Sequence, residues 1–94
     1  MALAFDPEAA QRWTSLCSST QPYERAVREA VAAVLRRLDS DPQRHRVGAI
    51  QFATTPTVWA QTVAVDEGAD WVIIWTVDNA TDIRILRIEP APSL

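Results

Sequence analysis

The chain has 94 residues, 48% hydrophobic and 22% charged, with nine arginines, no lysine, twelve acidic residues and a net charge of −3. That length and balance predict one folded domain over residues 1–94 rather than a disordered segment, and no apolar run approaches the ~20 residues that span a membrane. The acidic surplus argues against a broad nucleic-acid surface, because phosphate neutralisation supplies most of that affinity; a local arginine patch remains open.

At the start of the chain, Leu3-Ala4-Phe5 has the alternation of a short strand. Asp6-Pro7-Glu8 then reads as a helix start, with Asp6 as N-cap, Pro7 at the first helical position and Glu8 in the first turn. Ala9, Trp13, Leu16 and Cys17 follow at helical spacing, and Ser18-Ser19-Thr20 should end the segment. Cys17 is the lone cysteine, so no internal disulfide is expected, and MALAFDPEAA shows no export signal. A cytoplasmic setting follows as the expectation. Thr20-Gln21-Pro22 opens a second helix, whose apolar stripe runs Tyr23, Val27, Ala30, Val31, Val34, Leu35, Leu38. Asp39-Ser40-Asp41-Pro42 closes it. The two helices, with so short a link, should form an antiparallel hairpin.

Further on, QRHR (43–46) is polar and basic, and VGAIQF (47–52) reads as a short strand. In WAQTVAV (59–65), Trp59, Val63 and Val65 share a face. Trp71 to Val77 is apolar at nearly every position, the pattern of a central strand, and Ile83 to Ile88 forms the last strand before Pro90 and Pro92. The expected fold is α+β: a short N-terminal strand, then an antiparallel helical hairpin packed on a three- to four-stranded antiparallel β-sheet.

This order, with the phrases FDPEAAQRWTSL, LRRLDSDP, WAQTVAV, DWVIIWTVD and IRILRIE, resembles the RelE/ParE superfamily of toxins from type II toxin–antitoxin pairs. The resemblance implies a compact α+β toxin with a cognate antitoxin as partner. In one branch it implies a metal-independent endoribonuclease that cuts mRNA on the ribosome; in the other, interference with DNA gyrase. No cofactor and no metal are implied. RelE-type cleavage uses the RNA's own 2′-hydroxyl, so the protein must move protons and hold the phosphorane charge with cations. Family members carry those cations as arginines in a W-R-x-R strand and a D-Y-R-I-x-Y strand, with a basic or tyrosine-bearing tail. Here the first strand offers Ala60 and Thr62, the second reads Asp70-Trp71-Val72-Ile73-Ile74-Trp75, and the chain ends Glu89-Pro90-Ala91-Pro92-Ser93-Leu94. Removing one such donor costs on the order of ten- to a thousandfold. The expectation is a toxin-like protein that acts mainly by binding another protein, with the ribonuclease residues largely absent. The alternative is an active endoribonuclease with a rearranged Arg/His site.

The catalytic candidates for that alternative are Arg44, His45, Arg46, Arg84 and Arg87. His45 has the right pKa range for proton transfer and arginines on either side, but a solvated loop is the plainer reading, since no second titratable partner is placed by sequence. The odd spacing of Arg84 and Arg87 predicts opposite strand faces, with Arg87 beside Ile83, Ile85 and Glu89. Trp59, Trp71 and Trp75 are candidates for partner binding, against the plainer reading of sheet core. A homodimer is a further partner option.

Overall fold

A computed structural model describes residues 3–40, 50–52, 57–65, 68–78 and 82–91. Strand β1 (Leu3–Phe5) leads into helix α1 (Pro7–Ser18), and helix α2 (Pro22–Ser40) follows after three residues. The remaining strands are β2 (Ile50–Phe52), β3 (Val58–Val63), β4 (Trp71–Asp78) and β5 (Asp82–Pro90).

Local chemistry accounts for the helix limits. Pro7 occupies the first position of α1, where a missing N–H is harmless, and Asp6 before it is extended at φ −65° and ψ 155°. At the far end Ser18 Oγ donates back to the Thr14 carbonyl at 2.6 Å, and the extended Ser19 donates its N–H to Leu16. Along α2 the spacing of Val27, Val31, Val34, Leu35 and Leu38 lays one continuous apolar stripe, and all five are buried.

The sheet has five strands in the order β1-β5-β4-β3-β2. From β2 to β5 it is the expected antiparallel meander. It is not purely antiparallel, however, because β1 lies parallel to β5, with Leu3 opposite Ile83 and Phe5 opposite Ile85. Parallel neighbours need a long connection. Here almost the whole chain separates the two strands, so no local signal fixes their direction.

Both helices cover one face of this sheet. Ala9 and Leu16 of α1 and the α2 stripe meet Val63, Val65, Trp71, Ile73, Trp75, Ile83, Ile85 and Ile88 in one core. Each of the larger side chains contributes about 1.5–3 kcal/mol by leaving water. Trp71 (5% exposed) and Trp75 (0%) belong to this interior, which withdraws them as partner-binding residues; Trp59 is partly buried and stacks on Trp75 at 6.5 Å.

One irregularity governs the last strand. Ile74 faces Arg87 and Trp75 faces Ile85, so Leu86 is an extra residue, a β-bulge. The alternation therefore changes phase: Ile83, Ile85 and Ile88 all point into the core, at 1%, 0% and 2% exposure. Arg84 and Arg87 consequently share the outer face, opposite Thr76 and Ile74. The expectation of opposite faces fails because a bulge turns an odd spacing into an even one. Arg87 does not lie beside Ile83 and Ile85.

Candidate functional site

The outer face of the sheet, turned away from the helices, is a grid set by the register. Its rows across β3, β4 and β5 are Val58–Thr76–Arg84, Ala60–Ile74–Arg87 and Thr62–Val72–Glu89. Within these three rows the β3 and β4 positions hold no charge. Val58, Val72 and Ile74 are half-buried and Thr62 is exposed, while Ala60 (8%) and Thr76 (4%) are closed off. Thr76 Oγ1 donates to the Thr57 carbonyl at 2.7 Å, so its buried hydroxyl is satisfied. Ala60, Thr62 and Val72, where the resemblance implies arginines, therefore sit together on one surface.

Within these rows charge enters in the β5 column, and its two arginines are met by carboxylates from the start of α1. Arg84 Nε lies 3.8 Å from Asp6 Oδ1, and Arg87 Nη1 lies 2.7 Å from Glu8 Oε2. The arginine side chains are 49% and 53% exposed, so each pair is a solvated one worth about 0–1 kcal/mol. Asp6 stands at the N-cap position as the sequence predicts, yet its side chain makes no capping hydrogen bond. The carboxylate faces Arg84 instead. An open groove of about 440 Å³ runs beside these pairs, lined by Asp6, Pro7, Glu8, Leu86 and Arg87.

A second cluster pins the helices to the end of β4. The Trp71 indole N–H donates to the Tyr23 hydroxyl at 3.0 Å, and that hydroxyl donates to the Ala69 carbonyl at 2.6 Å. The Arg12 guanidinium lies 5.5 Å from the centre of the Trp71 ring, a cation–π contact. Gly68 packs so closely on Tyr23 that a Cβ there would fall 2.4 Å from Tyr23 Cε1. Asp70 ties the same corner together, accepting from the Val65 N–H at 3.3 Å through its carboxylate and from the Ala91 N–H at 2.9 Å through its carbonyl.

The chemistry open to the outer face follows from this inventory. Arg84 and Arg87 can hold an anion but cannot shuttle a proton, because guanidinium does not deprotonate in proteins. The carboxylates of Asp6 and Glu8 face those guanidinium groups. Among the described residues no group of three or more His, Cys, Asp or Glu is placed to hold a metal, and no helix is long and apolar enough to cross a membrane. Arg44, His45 and Arg46 lie outside the described residues. Sequence reading missed Asp6 and Glu8 as partners of the arginines, since nothing local links residues nearly 80 positions apart. It also treated Tyr23 as one more apolar position, although a tyrosine at a helix start signals a hydroxyl in need of partners.

Comparison with known proteins bears on the fold. No family model matches the sequence, and no curated protein matches it. Among solved structures, "The structure of YoeB dimer from Staphylococcus aureus" superposes with a TM-score of 0.66 over 98% of both chains, at 13% identity. The chain has the fold of that structure, α+β with a mixed sheet.

Proposed function

We propose that this chain is the toxin-like member of a type II toxin–antitoxin pair, acting in the cytoplasm by gripping other proteins, its cognate antitoxin first, rather than by cutting RNA. The observation that carries this reading is the neutral register grid: Ala60, Thr62, Val72 and Ile74 pair directly across β3 and β4 where a phosphorane would need cations. A half-apolar strand surface suits a polypeptide ligand better than a phosphodiester backbone, and an antitoxin segment would lie across it. The RelE-like fold supports the pairing with an antitoxin.

The test is co-expression with the product of the adjacent gene. A stable complex is expected, lost when Ile74→Asp puts a charge in the centre of the grid, while induction of the chain alone leaves translated messages uncut. Recovery of monomer only, from a folded chain, would count against the pairing. The second reading, a metal-independent endoribonuclease, draws on one observation: the bulge brings Arg84 and Arg87 to the same face. Under it, primer extension after induction would show codon-positioned cuts that disappear with His45→Ala or with Arg84→Gln and Arg87→Gln together.

A further inference from the structure

We infer that Asp6 and Glu8 are built-in counter-ions that occupy an oxyanion site formed by Arg84 and Arg87, keeping it closed in the resting chain. Separate features converge on this. The bulge at Leu86 gathers the arginines on one face, in adjacent rows of the grid. Each then meets a different carboxylate, Arg84 with Asp6 and Arg87 with Glu8, at 3.8 Å and 2.7 Å. Asp6 forgoes the hydrogen bond that its N-cap position offers, a contact that normally stabilises a helix start, and faces a guanidinium instead. The third cation of this corner, Arg12, lines a small concavity with Glu8, Arg87, Ile88 and Glu89, one helical turn from Glu8.

The arrangement has the form of an anion site already filled from within. Adjacent rows on one strand are roughly 7 Å apart, so the two guanidinium groups match a ligand with two linked oxyanions, such as a diphosphate, better than a single phosphate. Guanidinium favours such groups through paired N–H donors. The neighbouring groove, lined by Asp6, Pro7, Glu8, Leu86 and Arg87, gives that ligand an approach from solvent. Both carboxylates reach solvent, with side chains 39% and 68% exposed, so each can turn away from its arginine. This inference is independent of the antitoxin reading, whose failure is read on complex formation rather than on anion binding.

The test is a titration of the full chain with inorganic pyrophosphate, following the arginine Nε–H signals by NMR. The wild-type chain should bind weakly. Asp6→Asn with Glu8→Gln should bind at least about fivefold more tightly, with the largest shifts at Arg84 and Arg87. Adding Arg84→Gln and Arg87→Gln should remove the gain. Glu24→Gln with Glu29→Gln makes the same change in net charge on α2 and should leave affinity unchanged. Glu8→Gln alone, at an exposed position, supplies an arm that does not disturb the helix start and should give part of the gain. An equal gain from the α2 control, shifts centred elsewhere, or no gain from either neutralising variant in a folded chain would overturn the inference.

Discussion

The two faces of the same strands make opposite use of similar residues. On β4, Trp71, Ile73 and Trp75 point at the helices and are at most 5% exposed, while Val72 and Ile74 between them are half-buried on the outer side. The inner residues are explained by folding, since α1 and α2 cover them. Nothing among the described helices covers the outer ones. A strand facing water on one side normally alternates apolar with polar; β4 does not from Trp71 to Trp75. Apolar surface kept where folding does not require it is the usual mark of an interaction site. The contrast separates residues that make the fold from residues that the proposed partner would meet.

Core truncation should show the largest effect. Trp75→Ala should lower stability by about 3–5 kcal/mol, because Trp75 is wholly buried and its loss leaves a cavity. Ile74→Ala, one residue along, should cost about 1 kcal/mol, in line with its half-exposed position. Urea unfolding of both variants measures the difference. Equal losses would mean that the outer face contributes as much to folding as the inner one.

The next effect tests how tightly the inner face is tied to the helices. Gly68→Ala should cost about 1–3 kcal/mol, since the added Cβ would meet the Tyr23 ring at 2.4 Å and the ring must move. Moving it breaks the bonds from Trp71 and to Ala69. In a Tyr23→Ala background the same substitution should cost little, so the two changes should be strongly non-additive. Additive losses would place the strain in the backbone instead of the ring.

How much of this was legible in the sequence depends on whether a local pattern carried it. The α2 stripe repeats at helical period through four turns, and Pro7 and Pro22 mark both helix starts, so the helical hairpin could be read directly. Near-continuous apolarity from Trp71 to Val77 likewise marked the central strand. The direction of β1 could not be read, because three residues carry no information about a partner at the other end of the chain. The bulge escaped for a different reason. A single inserted residue leaves composition untouched and changes only the phase, so Leu86 looks like any other strand position while reversing the side on which Arg87 lies. Of the candidate site, the neutral positions were readable one by one; their direct pairing across strands, and the carboxylates that answer the arginines, depend on tertiary geometry.

A smaller effect distinguishes two tryptophans that look alike in sequence. The Trp75 indole nitrogen is buried with no hydrogen-bond partner among the described residues, whereas that of Trp71 donates to Tyr23. Trp71→Phe therefore loses a bond and Trp75→Phe removes an unpaired donor. Both lose ring area, so the Trp75 variant should be the milder by about 1 kcal/mol in thermal or urea unfolding. The reverse order would show that the Trp75 N–H has an acceptor, such as an ordered water.

The smallest expected effect is the most informative about the outer face. A double-mutant cycle on Glu8→Gln and Arg87→Gln should return a coupling below about 1 kcal/mol, despite the short 2.7 Å separation, because both side chains are more than half exposed. It should shrink further in 0.5 M salt, where screening acts over only a few ångströms. The pair of contacts, Glu8 with Arg87 and Asp6 with Arg84, contributes little to stability yet engages both arginines of the face while Asp6 makes no N-cap bond, and is poorly explained as a fold-stabilising device. Its consequence lies in what the arginines are kept from binding. A coupling of about 2 kcal/mol or more, well above the range of exposed pairs, would reverse that conclusion and assign Glu8 and Arg87 to the fold, on the same footing as the tryptophans beneath the helices.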